Sequence, residues 1–171
     1  VRSQNVGWGE LRLLDLSYIT EETHNTFSGS EIKLNDVLLN ITGASIGRCA
    51  LASERVVSGN VNQHVCIIRT IPAKAHPYIL QTLINSDTGQ NQIDSYQAGG
   101  NREGLNFSQI TNMKFPFATN IKEQTAIATI LSDMDEEIQA LTQRLNKTRQ
   151  IKQGMMQELL TGKTRLPFDK N

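Results

Sequence analysis

The longest periodic pattern of apolar residues in the chain runs over residues 121–160. The stretch contains one glycine and no proline, and its apolar side chains recur at intervals of three and four. Such spacing places them on one helix face and is typical of a coiled-coil seam. We expect a helix about 60 Å long. The spacing widens after Leu145, so we expect a local change of winding near Lys147. The predicted seam consists of Ile127, Leu131, Met134, Ile138, Leu141, Leu145, Ile151 and Met155.

Polar residues and a glycine define the expected ends of this helix. Either Thr119 or Asn120 can cap its first turn, and Glu123 or Gln124 stands at the offset of a capping box. Gly162 stands where a helix is commonly closed by a glycine in the left-handed conformation. The pattern therefore predicts a helix over 120–162.

Charged residues of the predicted helix are segregated by sign. A parallel copy would face like charges, whereas an antiparallel copy would bring the acidic block against the basic one. Both the charge blocks and the helix limits have their centre near Leu141 and Thr142, where we expect an antiparallel pairing to cross. Each exposed ion pair contributes only about 0.2–1 kcal/mol, so charge selects orientation and seam burial supplies most of the stability. The acidic residues are Asp133, Asp135, Glu136 and Glu137, and the basic ones are Arg144, Lys147, Arg149 and Lys152.

A different interpretation of the same helix stays open. It could pack on its own domain and present the charged face to water, without pairing to a second helix.

Residues 1–70 contain several short apolar or β-branched runs that are separated by turn residues. The runs predict strands over 10–16, 36–42, 48–52 and 61–69. Short strands joined by glycine turns favour a small, curved sheet or partial barrel.

Helical spacing begins after Pro77 and extends to about residue 96, with a break expected at 86–89. A loop with three glycines follows at 98–104. Residues 107–110 predict one helical turn with Ser108 as its N-cap, and 113–118 predict an edge strand because they contain a proline.

These patterns define the fold class as α+β: a small curved β-rich domain with short helices, followed by one long coiled-coil helix. The domain is assigned to 1–119, the helix to 120–162 and a C-terminal tail to 163–171.

Charge and cysteine content limit the kind of nucleic-acid binding that is expected and indicate the cellular compartment. The chain carries 17 basic and 17 acidic residues, which argues against a nonspecific coat on nucleic acid but not against a local basic face. Cys49 and Cys66 lie in apolar runs and are expected to be reduced and buried, as in a cytoplasmic protein.

No apolar run approaches the roughly 18 residues of a membrane helix, so no membrane role is expected. The chain starts at Val1, and we expect that its natural beginning is missing.

Catalytic and metal-binding patterns are absent from the sequence. The three histidines are not flanked by a nucleophile and base, and neither histidines nor cysteines have metal-ligand spacing. Residues 43–48 (GASIGR) have the glycines of a phosphate loop but lack its lysine and threonine. We therefore expect no enzyme, no metal and no cofactor. The turn is better suited to approach a DNA phosphate with its backbone N–H groups, Ser45 and Arg48.

Three segments together resemble the specificity subunit of type I restriction–modification systems. The first is NDVLLNITGASIGR at 35–48, and the second is VNQHVCIIR at 61–69. The third begins with IKEQ at 121–124 and closes with ELLTGK at 158–163. Each motif alone is weak, but their order and the long helix together are specific.

The resemblance implies a non-catalytic function in DNA recognition. A full specificity subunit has two target recognition domains, each reading half of a bipartite site in double-stranded DNA, and two antiparallel helices that set their distance. This chain resembles a half subunit, or the C-terminal half of a full one, with 1–119 as a target recognition domain that lacks its first strands. The expected partners are methyltransferase and restriction subunits, which would hold the methyl donor and ATP, and a second copy or another half subunit. An alternative is a coiled-coil protein-interaction module with a β-rich domain and no DNA role.

Candidate DNA contacts are polar residues in the loops of 1–119, because recognition requires phosphate anchors and base-edge donors and acceptors. Each of them could instead hold a turn or carry a solvated charge. The candidates are Arg2, Gln4, Asn5, Ser45, Arg48, Asn62, Gln63, His64, Asn101 and Arg102.

Overall fold

The protein has the α+β composition that the sequence predicts. The computed structural model describes residues 1–97 and 104–167. The chain divides into two compact units, Val1–Ala128 and Thr129–Asn171. The first unit contains a small sheet, short helices and the beginning of a long helix, and the second contains the rest of that helix.

The sheet has three antiparallel strands in the order β2-β1-β3. They are β1 (Val37–Asn40), β2 (Cys49–Leu51) and β3 (Val65–Ile68). Central β1 is buried along its whole length, and Leu38 pairs with Ala50 on one side and Ile67 on the other. A continuous apolar run is typical of a strand covered on both faces. Three of the four strands predicted in residues 1–70 are confirmed, each shorter than expected.

Residues of β1 point alternately into two clusters of buried side chains, as the period of a strand requires. Leu38 packs with Val6 and Ile32 on one face. Val37 and Leu39 pack on the other face, together with helix residues.

Five α-helices lie in the described residues: α1 (Glu21–Thr26), α2 (Pro77–Asn85), α3 (Asp87–Gln97), α4 (Phe107–Asn112) and α5 (Ile121–Leu160). The break predicted between α2 and α3 is confirmed at Ser86. Gly89 is required there, because a Cβ atom at this position would lie 2.2 Å from the carbonyl oxygen of Ile84.

Asn106, not Ser108, caps α4. Its Oδ1 atom accepts a hydrogen bond from the backbone N–H of Gln109 (2.8 Å), whose side chain accepts one from the backbone N–H of Asn106 (2.9 Å). This reciprocal pair is a capping box, and it starts the helix at Phe107. The predicted N-cap was therefore wrong by two residues.

Residues 10–16 do not form the predicted strand. Leu11 makes a single bridge to Val6, and the chain folds back so that the backbone N–H of Arg12 donates to the carbonyl oxygen of Asn5 (2.8 Å). The side chain of Asn5 then donates to the carbonyl oxygens of Arg12 and Asp15, both at 2.9 Å. These carbonyls are satisfied by a side chain, so no neighbouring strand is needed.

The strand predicted over 113–118 is also wrong, for a similar reason. Lys114 exchanges two hydrogen bonds with the side-chain amide of Gln92, at 2.8 and 2.9 Å, where a strand would pair with a second strand. Within the described residues, the segment pairs with no strand.

Helix α5 begins and ends close to the predicted limits. The carbonyl oxygen of Asn120 accepts the first helical hydrogen bond from Gln124 (3.1 Å), and its Oδ1 atom accepts one from Lys122 (2.9 Å). Gly162 has a φ of 70° and closes the helix as predicted. The helix is continuous through Lys147, and the change of winding predicted there stays a prediction.

The predicted seam of α5 is largely exposed. Ile127 is 39% exposed, and Leu131 is half-buried. The remaining seam residues are between 49% and 61% exposed: Met134, Ile138, Leu141, Leu145, Ile151 and Met155.

Candidate nucleic-acid interface

An open depression of about 410 Å³ lies on the first unit and collects polar residues from three separate segments. The segments are the N-terminal turn, the loop between β1 and β2, and the turn before β3. The lining residues are Ser3, Gln4, Thr42, Gly43, Ala44, Ser45, Arg48 and His64. Four of the predicted DNA contacts, Gln4, Ser45, Arg48 and His64, therefore lie together.

The loop between β1 and β2 depends on two glycines with positive φ, 73° at Gly43 and 85° at Gly47. A Cβ atom at Gly47 would lie 2.6 Å from Oε1 of Gln90, whereas one at Gly43 would meet nothing within 4 Å. Gly47 is thus required for packing, and Gly43 leaves backbone open to a ligand. A close approach of another backbone or phosphate is a common reason for glycine.

The N-terminal turn is attached to the sheet by a buried amide. Asn40 of β1 donates from Nδ2 to the carbonyl oxygen of Ser3 at 2.8 Å. Asn5 is 1% exposed, and its Oδ1 atom accepts a hydrogen bond from the backbone N–H of Arg2 (2.9 Å). With its two donated bonds, the Asn5 side chain serves the local fold and offers no free group to DNA.

Arg2 and Gln4 converge on one carboxylate, that of Asp15. Arg2 Nη2 lies 3.1 Å from Oδ2 of Asp15, and Gln4 Nε2 donates to the same oxygen at 2.6 Å. Sequence reasoning did not identify Asp15, because its partners are eleven and thirteen residues away and no local motif marks it.

The turn before β3 contains three of the predicted contacts in different environments. Asn62 accepts a hydrogen bond from the backbone N–H of His64 (3.2 Å), so it holds the turn. Nδ1 of His64 lies 2.7 Å from Oγ1 of Thr42, and Nε2 of Gln63 lies 3.3 Å from Nε2 of His64. Gln63 is exposed, so it and His64 can reach a ligand.

Arg48 and Ser45 stand at the end and the middle of the glycine loop. The backbone N–H of Arg48 donates to the carbonyl oxygen of Ser45 at 3.2 Å. Both residues are half-buried and line the depression. Within the described residues the Arg48 guanidinium forms no ion pair, so it brings positive charge to the depression.

Asn101 and Arg102, the remaining candidates, lie outside the described residues. The described residues on either side, Gln97 and Gly104, are bonded to each other, and Gly104 lies beside the end of β1. Gly104 bridges to Thr42, and its backbone N–H donates to Oε1 of Gln97 at 2.9 Å.

The chemistry of the depression is that of donors and acceptors. Across residues 1–97 and 104–167, no group of three His, Cys, Asp or Glu side chains could hold a metal ion. Over the same ranges, none of the helices combines the length and apolarity needed to cross a membrane. Cys49 and Cys66 are free and buried as predicted, and burial raises the pKa of both thiols.

A small α+β domain with a polar depression, followed by a forty-residue helix, defines a class of binding modules. Residues 6–152 match the family model of the type I restriction modification DNA specificity domain, and the chain belongs to this family. Proteins of this family are non-catalytic specificity subunits.

One curated protein agrees with this assignment by sequence, and one solved structure shares the fold. The chain is 24% identical over 164 residues to a protein of Methanocaldococcus jannaschii named as the MjaX specificity subunit of a type I restriction enzyme, covering 94% of this chain and 38% of that protein. A solved structure from work on complex assembly and conformational transition of the type I R-M system has the same fold, with a TM-score of 0.61 at 19% identity. That match covers 82% of this chain and 36% of the other. The chain thus spans less than two fifths of either relative.

Proposed function

We propose that the chain recognises DNA sequence for a type I restriction–modification enzyme and reads one half of a bipartite site. The observation that carries this proposal is the depression, where polar groups from three segments converge. Its glycine loop offers backbone N–H groups and Arg48 to a phosphate, and Gln4 and His64 offer donors and acceptors to base edges.

Charge supports a sequence reader over a nonspecific binder. The chain carries no net charge, so attraction to DNA must come from local groups such as Arg48. Few phosphate contacts give a shallow dependence of affinity on salt. Discrimination would then come mainly from base edges.

Docking of the methyltransferase and restriction subunits is part of the same proposal. Those partners would supply the methyl donor and ATP, and this chain would hold no cofactor. The two free, buried cysteines fit the proposed cytoplasmic setting. The exposed seam of α5 offers the surface for an antiparallel helix, from a second copy or another half subunit.

Selection from a pool of random DNA duplexes, followed by titration at several salt concentrations, tests the proposal. We expect one enriched half-site. Arg48→Ala should weaken binding to all sequences and reduce the slope of log affinity against log salt by about one. The matched control is Arg55→Ala, because Arg55 is an exposed arginine outside the depression. Equal affinity and slope for the two variants would contradict the placement of DNA at the depression.

The alternative function, protein interaction through α5 without DNA, is favoured by the exposed apolar stripe of that helix. It predicts that no sequence is enriched from the random pool at any salt concentration. Enrichment of a salt-sensitive half-site separates the two functions.

The length of α5 offers a second test in cells that carry the whole system. Inserting seven residues, about two helical turns, should change the gap between the two methylated half-sites and leave the half-sites themselves unchanged. Mapping of methylated adenines or cytosines across the genome measures both quantities. An altered half-site with a constant gap would contradict a spacer role for the helix.

A further inference from the structure

Asp15 binds two side chains of the N-terminal turn, those of Arg2 and Gln4, and Gln4 lines the depression. Its Oδ2 atom accepts from Gln4 Nε2 at 2.6 Å and from Arg2 Nη2 at 3.1 Å, and its carbonyl oxygen accepts from Arg2 Nη2 at 3.3 Å. We infer that Asp15 is a positioning residue, which orients Gln4 to read an adenine and Arg2 beside it. This inference rests on the proposed function.

A carboxylate determines which way a glutamine amide faces. Ionised Asp15 can only accept hydrogen bonds, so the –NH₂ group of Gln4 must point towards it and Oε1 must point elsewhere. The amide has two N–H donors, and Asp15 occupies one. The second donor and Oε1 remain as a donor–acceptor pair with a fixed direction.

That pair matches one base edge and not another. In the major groove adenine presents N7 as an acceptor and N6 as a donor, and glutamine binds both atoms together. Guanine presents two acceptors, N7 and O6, so the oxygen of an oriented amide would face another oxygen. Gln4 is exposed and lines the depression, so its oriented amide is available to a base.

The backbone of Asp15 is itself held in place by a buried side chain. Buried Asn5 donates to the Asp15 carbonyl oxygen at 2.9 Å, and it holds the neighbouring Arg2 through the backbone N–H at 2.9 Å. An acidic side chain close to phosphates weakens general affinity for DNA. Asp15 would therefore lower general affinity in exchange for the orientation that it imposes on Gln4.

The experiment compares the base preference of Asp15→Asn with that of the unchanged chain. An asparagine can donate as well as accept, so Gln4 can turn over, and the negative charge is lost. We expect nonspecific affinity to rise about twofold and preference for adenine at one position of the half-site to fall about tenfold. The full chain is used, with randomised duplexes as the probe and sequencing of bound DNA as the readout.

Two further variants make the result interpretable. Glu10→Gln also removes a carboxylate paired with an arginine, at 3.4 Å from Arg12, but Glu10 touches neither Gln4 nor the depression. It should keep the preference. Gln4→Ala changes only an exposed side chain and should lose preference at the same position, so it tests the inference even if Asp15→Asn unfolds.

The outcomes separate this inference from the proposed function. If the unchanged chain enriches no sequence, the proposed function itself fails. If it enriches a half-site that Asp15→Asn or Gln4→Ala reads with the same preference at every position, the inference is overturned and DNA recognition stands. Loss at one shared adenine in both variants, with Glu10→Gln unchanged, supports it.

Discussion

The side chain of Gln124 connects the first turn of α5 to two other segments of the first unit. It is 1% exposed. Its Nε2 atom donates to the carbonyl oxygens of Lys74 (3.1 Å) and Ala118 (2.8 Å), and its Oε1 atom accepts from the backbone N–H of His76 (2.8 Å). Gln124 therefore does not complete the capping box that the sequence allows, and the IKEQ motif has a structural reason for its glutamine.

Gln124→Ala should lower the free energy of unfolding by about 2–3 kcal/mol, because it leaves two carbonyl groups and one N–H without their partner. Chemical denaturation monitored by circular dichroism measures the change. Gln143→Ala is the matched control, since Gln143 is an exposed glutamine on the same helix. The control should change stability by no more than about 0.5 kcal/mol, and equal effects would contradict the assigned role.

The two glycines of the loop between β1 and β2 should respond differently to alanine. Both have positive φ, so each substitution introduces backbone strain of about 1 kcal/mol. Gly47→Ala should cost about 2–3 kcal/mol in total, because Gln90 must also move and lose its hydrogen bonds to the carbonyl oxygens of Gly47 and Ile84. Thermal unfolding of both variants tests this order. A Gly43→Ala variant as unstable as Gly47→Ala would contradict it.

Among the structural elements, side-chain amides replace strands at several edges. Asn85 of α2 accepts from the backbone N–H of Cys49 (3.1 Å) and donates to its carbonyl oxygen (2.8 Å), at the outer edge of β2. Gln92 of α3 makes the same pair of bonds to Lys114. At β2 the Asn85 amide takes the place of the peptide group of a neighbouring strand, which protects the edge of the small sheet.

Asn85→Ala should therefore destabilise the edge of β2 in particular. It leaves the N–H group of Cys49 unpaired, whereas the carbonyl oxygen keeps the hydrogen bond from the backbone N–H of Gly9 (2.9 Å), and we expect a loss of about 1–3 kcal/mol. Cys49 is buried, and burial raises the pKa of its thiol, so it should react slowly with a thiol reagent in the native protein. Labelling of Cys49, located by mass spectrometry, should accelerate in the variant. Asn112→Ala, which removes an exposed amide at the end of α4, should leave the labelling rate unchanged.

These amide contacts also mark the limit of prediction from sequence. Strand β1 and helix α5 follow from local periodicity, because an apolar run or a three-four repeat is legible within one segment. Segments 10–16 and 113–118 have the sequence pattern of strands, but their partners are the side chains of Asn5 and Gln92. A local pattern does not reveal a partner 22 residues away.

In the candidate site, too, local sequence features could be predicted and contacts between distant residues could not. Glycine turns and polar loop residues could be read from the sequence, and four of the predicted DNA contacts line the depression. The sequence could not show that Asn5 is buried or that Asp15 unites Arg2 and Gln4, because both facts depend on how the N-terminal turn folds back.

At the scale of the whole molecule, the proposed pairing of α5 requires a second helix as its partner. The apolar stripe in Thr129–Asn171 is half exposed, and burying such side chains contributes about 25 cal/mol for each Å² of apolar surface. The acidic and basic blocks select an antiparallel partner. In an antiparallel pair centred between Leu141 and Thr142, a residue lies close to the same position of the other copy only near the centre. Residues towards the helix ends face a distant position of the other copy.

Single cysteine substitutions test this geometry in a self-paired molecule. Leu141→Cys should form a disulfide between two copies, because position 141 lies beside its own equivalent at the centre. Met155→Cys should not, because antiparallel pairing places it near position 128 of the other copy, about 40 Å along the helix from its own equivalent. The native Cys49 and Cys66 are buried and do not compete.

Oxidation at micromolar concentration, followed by non-reducing electrophoresis, measures both variants, and light scattering of the unsubstituted chain gives its mass. Efficient cross-linking at 155 as well as 141 would indicate a parallel pair, since every seam residue then faces itself. A mass of one chain would contradict self-pairing, and the exposed seam would then require a different helix as its partner.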